Sequence, residues 1–124
     1  MDSLRILVVE DEPLIQELVE QALSEAGFEM AVAPTGEDAL AMLEAPDANF
    51  RALVTDVNLG SGKLAGWDVA RKGREINPEL PVVYMTGDSG NQWASEGVPN
   101  SVLVTKPFAP AQIVTAVAQL LMVA

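Results

Sequence analysis

The hydrophobic positions of the chain fall into short, nearly continuous runs, separated by stretches in which they recur at helical spacing. "RILVV" is the first such run and reads as a strand covered on both faces. Pro13 then suits the first turn of a helix, where its missing N–H costs nothing. Leu14, Leu18, Val19 and Leu23 form one apolar stripe on that helix, and Gly27 is a natural stop. "FEMAVA" predicts a second strand, followed by a helix with Ala39, Leu40 and Leu43 inward. "RALVTD" is a third strand, and "GWDVARKGREI" a helix closed by Asn77-Pro78. "PVVYMTG" is a fourth, "NQWASEG" a short helix and "SVLVT" a fifth strand. The last helix runs from about Pro110, with Ile113, Val117, Leu120 and Leu121 facing inward.

This alternation predicts an α/β fold: five parallel strands with helices on both faces, doubly wound. The right-handed crossover rule leaves few topologies for it. No repeat or linker divides the chain, and 124 residues suit a single domain, 1–124.

Composition narrows the function. A net charge of −11 argues against direct nucleic-acid binding and against an anionic membrane surface. No Cys and no His are present, which removes disulfides, thiolate catalysis, an imidazole base and a phosphohistidine within the chain. The N-terminal apolar stretch is no signal peptide. The C-terminal one carries Gln112, Thr115 and Gln119 and is too short to span a bilayer. A cytoplasmic protein is expected.

Polar residues gather where the strands end. Glu10-Asp11-Glu12 follow the first strand, Asp56 the third, Thr86 the fourth, and Thr105-Lys106 the fifth. In an open parallel sheet, ligands sit beyond the carboxyl ends of the strands. With the order 2-1-3-4-5, Glu10, Asp11 and Asp56 share one small site with Thr86 and Lys106 across from them. Singly, each has a plain structural reading: acids at a helix dipole, a turn Asp, a strand Thr, a solvated Lys. That reading does not account for their falling together at one end of the sheet. Crowded carboxylates call for a cation, and Mg²⁺, which takes one or two of them and leaves room for a phosphate oxygen, is the expected one. Lys106 and Thr86 then supply phosphate donors. The nearby "GSGK" is not a nucleotide loop, since that motif would need a Gly at Val57 and a hydroxyl at Leu64.

"ILVVEDE", "LVTDVN", "YMTG" and "TKPF", in this order over the whole chain, resemble the receiver domain of bacterial two-component response regulators. The resemblance implies the flavodoxin-like order 2-1-3-4-5 and a phospho-acceptor at Asp56. It implies that Asp11 ligates Mg²⁺ directly, Glu10 through water and Asn58 through its backbone carbonyl. Thr86 and Lys106 would bind phosphoryl oxygens, and Lys106-Pro107 would be cis. Asn58 and Asp88 would tune hydrolysis, and Thr86 and Leu103 would form the switch. Pro13, Leu14, Ile15, Pro107 and Phe108 would meet the phosphodonor, with Phe108 exposed and either Leu14 or Ile15 turned toward the core.

Three departures stand out. Glu10 replaces the commoner Asp; the loop from Asp56 to Gly66 is longer, with Gly60 where Pro is typical; and Leu103 stands where an aromatic is common. That loop is expected to be mobile. A stand-alone, non-enzymatic receiver is expected. It would take phosphate from a histidine kinase or histidine phosphotransfer protein and signal to a downstream protein through the fourth helix, fifth strand and fifth helix. The receiver segment of a hybrid kinase and a phosphorelay shuttle are alternatives. A remote one is a haloacid-dehalogenase-like phosphatase, which would need an Asp at the position of Asn58.

Overall fold

A computed structural model describes residues 5–60, 63–87 and 90–122. Strands β1 (Arg5–Val9), β2 (Glu29–Ala33), β3 (Ala52–Asp56), β4 (Val82–Thr86) and β5 (Val102–Thr105) alternate with helices. The helices are α1 (Pro13–Glu25), α2 (Gly36–Glu44), α3 (Gly66–Ile76), α4 (Trp93–Glu96) and α5 (Pro110–Met122). The strands form one parallel sheet in the order β2-β1-β3-β4-β5, as expected.

The continuous apolar runs are explained by two cores. Ile6 and Val8 of β1 point to one face, packing with Val19, Leu23, Ile113 and Val117 of α1 and α5. Leu7 and Val9 point to the other, with Leu43 of α2 and Trp67, Val69 and Ala70 of α3. A strand covered on both sides has no polar face to show, so period-two alternation is absent from its sequence.

The apolar stripe on α1 needs correcting. Leu14 and Leu18 are 69% and 50% exposed, while Val19 and Leu23 are fully buried. Ile15 is the residue that joins them, half-buried against the core. Ile15, Val19 and Leu23 recur every fourth residue and lie on one face; Leu14 and Leu18 are each turned about 100° away from that row. Gly27 does end the helix, with φ 94°, a conformation that costs a side chain dearly.

The short helix expected at "NQWASEG" is a 3-10 turn at Gly90–Gln92 followed by the four residues of α4. None of the residues of α4 is buried. Polar ties hold it instead: Arg71 Nη2 to Glu96 Oε1 at 3.0 Å, and Trp93 Nε1 donating to Ser101 Oγ at 2.9 Å.

Candidate functional site

The first strand delivers its acid under backbone control. Glu10 N–H bonds to the Ala33 carbonyl at 3.1 Å, extending the β1–β2 ladder, and Gln16 of α1 donates to the Glu10 carbonyl at 2.6 Å. The Glu10 side chain is fully buried, and its Oε2 accepts the Glu12 N–H at 3.1 Å. A buried carboxylate without such donors would be costly.

Asp56 ends β3 between two anchors. Val57 N–H bonds to the Met85 carbonyl at 3.0 Å, and Gly66 N–H to the Val57 carbonyl at 2.8 Å. Asp56 is 5% exposed, and its Oδ1 accepts the Asn58 N–H at 3.4 Å. From β5, the Lys106 N–H bonds to the Thr86 carbonyl at 2.7 Å, so the ends of β4 and β5 stay together. Lys106 Nζ then reaches Asp56 Oδ2 at 2.9 Å and Glu10 Oε1 at 3.4 Å. Thr86 is buried at the adjoining strand end. Asp11 completes the acidic group: one carboxylate oxygen each from Glu10, Asp11 and Asp56 lie within 4.8 Å of one another.

The electrostatics follow from this crowding. Burial, and then the charge of Asp56, push the Glu10 carboxyl from 4.5 up to about 7, with the Glu12 N–H and Lys106 pulling the other way. For Lys106, burial opposes the charged form, but the hydrogen bond and charge of Asp56, reinforced by Glu10, prevail and raise its pKa. Of the three carboxyl groups gathered here, the Lys106 ammonium meets two, those of Asp56 and Glu10. An all-oxygen donor set with surplus negative charge suits a small hard divalent cation such as Mg²⁺ and offers nothing to a thiophilic metal.

The fold therefore brings together Glu10, Asp11, Asp56 and Lys106, with Thr86 and Asn58 beside them. Asp88 lies outside the described residues. Lys106-Pro107 is cis, as expected. Leu103 pairs in register with Tyr84 and packs half-buried on the α3-side core. Pro13, Leu14 and Pro107 are exposed. Phe108, expected to be exposed, instead packs half-buried against the α1–α5 core; with α5 lying alongside, its ring is removed from water at little cost.

Three contributors escaped the sequence reading. Gln16 carries no local signal, since a polar residue on a helix usually faces solvent. Gly66 could have been suspected from a Gly opening a helix just after the loop that follows Asp56. Tyr84 read only as a strand residue, yet its ring packs on Trp67 at 4.6 Å between centroids and its hydroxyl accepts the Val98 N–H at 3.1 Å.

Residues 6–118 match the model for the response regulator receiver domain. The chain is 40% identical to a response regulator receiver protein from Sinorhizobium medicae, with a TM-score of 0.91 over 97% of this chain and 95% of that one. It resembles the receiver domain of NtrX from Brucella abortus at 29% identity and TM-score 0.83, covering 96% and 99% of the two chains. Among curated proteins it is 34% identical to the probable transcriptional regulatory protein TcrX of Mycobacterium tuberculosis, over 88% of this chain and 46% of that protein. The chain thus spans about half the length of the curated relatives it matches.

Proposed function

This chain belongs to the response-regulator receiver family of two-component signalling, and from that premise we propose that it accepts a phosphoryl group on Asp56 from a partner's phosphohistidine. The observation that carries this reading is the Lys106 Nζ–Asp56 Oδ2 contact at 2.9 Å, set beside the Glu10 and Asp11 carboxylates. In the transfer, the P–N bond to the donor imidazole breaks as a P–O bond to an Asp56 oxygen forms. The imidazole keeps the electron pair and takes a proton from solvent.

Asp56 is held in line by Lys106 and by the Asn58 N–H. Lys106, on a stem anchored at the Thr86 carbonyl, exchanges its carboxylate contact for an oxygen of the arriving group, and the Thr86 hydroxyl donates to another. Asp11, Asp56 and the Asn58 carbonyl would hold Mg²⁺, with Glu10 acting through water. When bound, the ion neutralises charge on the transferring group. Asn58 and Asp88 are the residues proposed to set the hydrolysis rate.

The partners proposed are a histidine kinase or histidine phosphotransfer protein and a downstream protein, met without direct nucleic-acid or membrane contact. Among the described residues no helix is long and apolar enough to cross a membrane. We take 1–124 as one cytoplasmic receiver domain. A second reading, as the receiver half of a longer regulator or hybrid kinase, is favoured by the greater length of the curated relatives. Asn58 in place of a second Asp speaks against a haloacid-dehalogenase-like phosphatase.

Incubation with acetyl phosphate or a phosphorylated kinase, followed by intact-mass measurement, tests the proposal. One phosphoryl group should add, dependent on Mg²⁺, and none in Asp56→Asn. Stoichiometric labelling of that variant would sink the assignment.

A further inference from the structure

We infer, on the Mg²⁺ reading proposed above, that Gln16 is a positioning residue for Asp11: its side-chain amide clamps the peptide that leads from Glu10 into Asp11. β1 ends at Val9, so the Glu10 carbonyl lies past the paired registers on either side of the strand. Gln16 Nε2 supplies its donor at 2.6 Å, a close contact for an N–H···O bond. Gln16 grips this turn twice. Its main-chain N–H bonds to the Glu12 carbonyl at 3.0 Å, opening α1, while its side chain reaches back to Glu10. Asp11 stands between these two anchored residues. The Glu10 N–H is held by the Ala33 carbonyl and the Glu12 N–H by Glu10 Oε2. Both neighbours of Asp11 thus have their N–H and carbonyl groups bonded.

The clamp depends on reach and on a donor. The side chain must span from the first turn of α1 to a carbonyl six residues back, and must offer it an N–H. Asn carries the same amide on a stem one methylene shorter. Met has the length of Gln but no donor, and an ionised Glu has only acceptors. Gln16 is half-buried, so the bond is partly shielded from competing water. Without the amide, the Glu10–Asp11 peptide can turn about its flanking bonds, and a cation must then order Asp11 at its own expense. A metal ligand whose supporting hydrogen bonds are removed holds its ion less tightly. For one neutral hydrogen bond the difference is about three- to tenfold in affinity.

Calorimetric titration of the whole chain with Mg²⁺, paired with amide exchange in a chelator, provides the test. Gln16→Met and Gln16→Asn should each bind Mg²⁺ about three- to tenfold more weakly than wild type. In the chelator, exchange of the Glu12 amide should speed severalfold in both variants, because the turn that presents it to Glu10 Oε2 is loosened. Urea denaturation of the same variants separates positioning from plain structural support. A loss of stability with wild-type Mg²⁺ affinity overturns the inference, and so does wild-type exchange at Glu12. Mg²⁺ binding that is absent in wild type, or unmoved by Asp11→Ala, overturns the metal reading instead and leaves the exchange measurement to decide the clamp.

Discussion

Gly66 lies directly against Asp56: a Cβ built on Gly66 would collide with the Asp56 carbonyl oxygen and stand 2.9 Å from both the Asp56 carbonyl carbon and the Val57 Cα. These are backbone atoms, so they cannot swing aside as a side-chain tip would. The start of α3 and the end of β3 are therefore packed main chain to main chain, with the Gly66 N–H bonded to the Val57 carbonyl. Gly66→Ala should destabilise the fold by about 1–3 kcal/mol, the usual cost of overpacking. Urea denaturation measures this. Phosphate uptake by the folded fraction should also slow, since relief of the clash moves Asp56 itself.

Glu10 makes the metal-free protein sensitive to pH in a defined window. Its folded pKa is raised to about 7 from 4.5, so between those values the native state binds more protons than the unfolded one. The sign follows: stability falls as pH rises through this window, and the loss is complete above pH 7. Glu10→Gln, which imitates the protonated form, should match wild type near pH 5 and exceed it by about 1–3 kcal/mol at pH 8 in a chelator. Chemical denaturation at both values checks it. Parallel curves with a constant offset would refute the assignment.

The fold was legible because its signals are local. Each buried strand is an unbroken apolar run, and each stop carries its own Gly or Pro, such as Gly27 and Pro78. The acidic group was legible because strand ends converge in a parallel sheet, so Glu10, Asp11, Asp56 and Lys106 could be placed together before any coordinates. What failed was the rotation of individual side chains. Leu14 and Phe108 are both apolar and both flank the site, yet the first is exposed and the second half-buried. Sequence does not report which neighbouring helix covers a given position. Gln16 acts through a contact with the Glu10 carbonyl that only folding sets up, and nothing local announces it; Gly66 opens a helix, but its close approach to Asp56 shows only in the fold.

The rotation of α1 selects the probe for the phosphodonor surface. Leu14 is 69% exposed at the first turn of α1, next to the acidic site. Leu14→Ala should leave stability within about 0.5 kcal/mol of wild type, as for other surface changes. It should slow transfer from a phosphorylated kinase severalfold and leave labelling by acetyl phosphate unaltered. Phe108→Ala should instead destabilise the fold by about 1–3 kcal/mol and impair both donors, because its ring packs on the α1–α5 core. Single-turnover transfer with the two donors separates these outcomes. Equal rates from the kinase for wild type and Leu14→Ala would remove α1 from the contact surface.

The proposed output face would centre on Tyr84 rather than on an aromatic at position 103. Tyr84 precedes Thr86 by two residues on β4 and so shares its side of the sheet; it is fully buried and pairs across strands with Leu103. Its hydroxyl accepts the Val98 N–H, and the Ser101 hydroxyl, which takes the Trp93 N–H, donates to the Val98 carbonyl at 2.7 Å. The segment from Trp93 to Ser101 is thus moored by polar contacts, with no buried residue in α4 itself, and such segments open at low cost. Tyr84→Phe keeps the ring on Trp67 but leaves the buried Val98 N–H without its acceptor. It should cost about 1–3 kcal/mol, and exchange of the Val98 amide should accelerate. With a phosphoryl mimic bound, protection changes in wild type should concentrate between Trp93 and Leu103 and shrink in Tyr84→Phe. Changes confined instead to residues 56–66 in both proteins would mean that the signal leaves by another face.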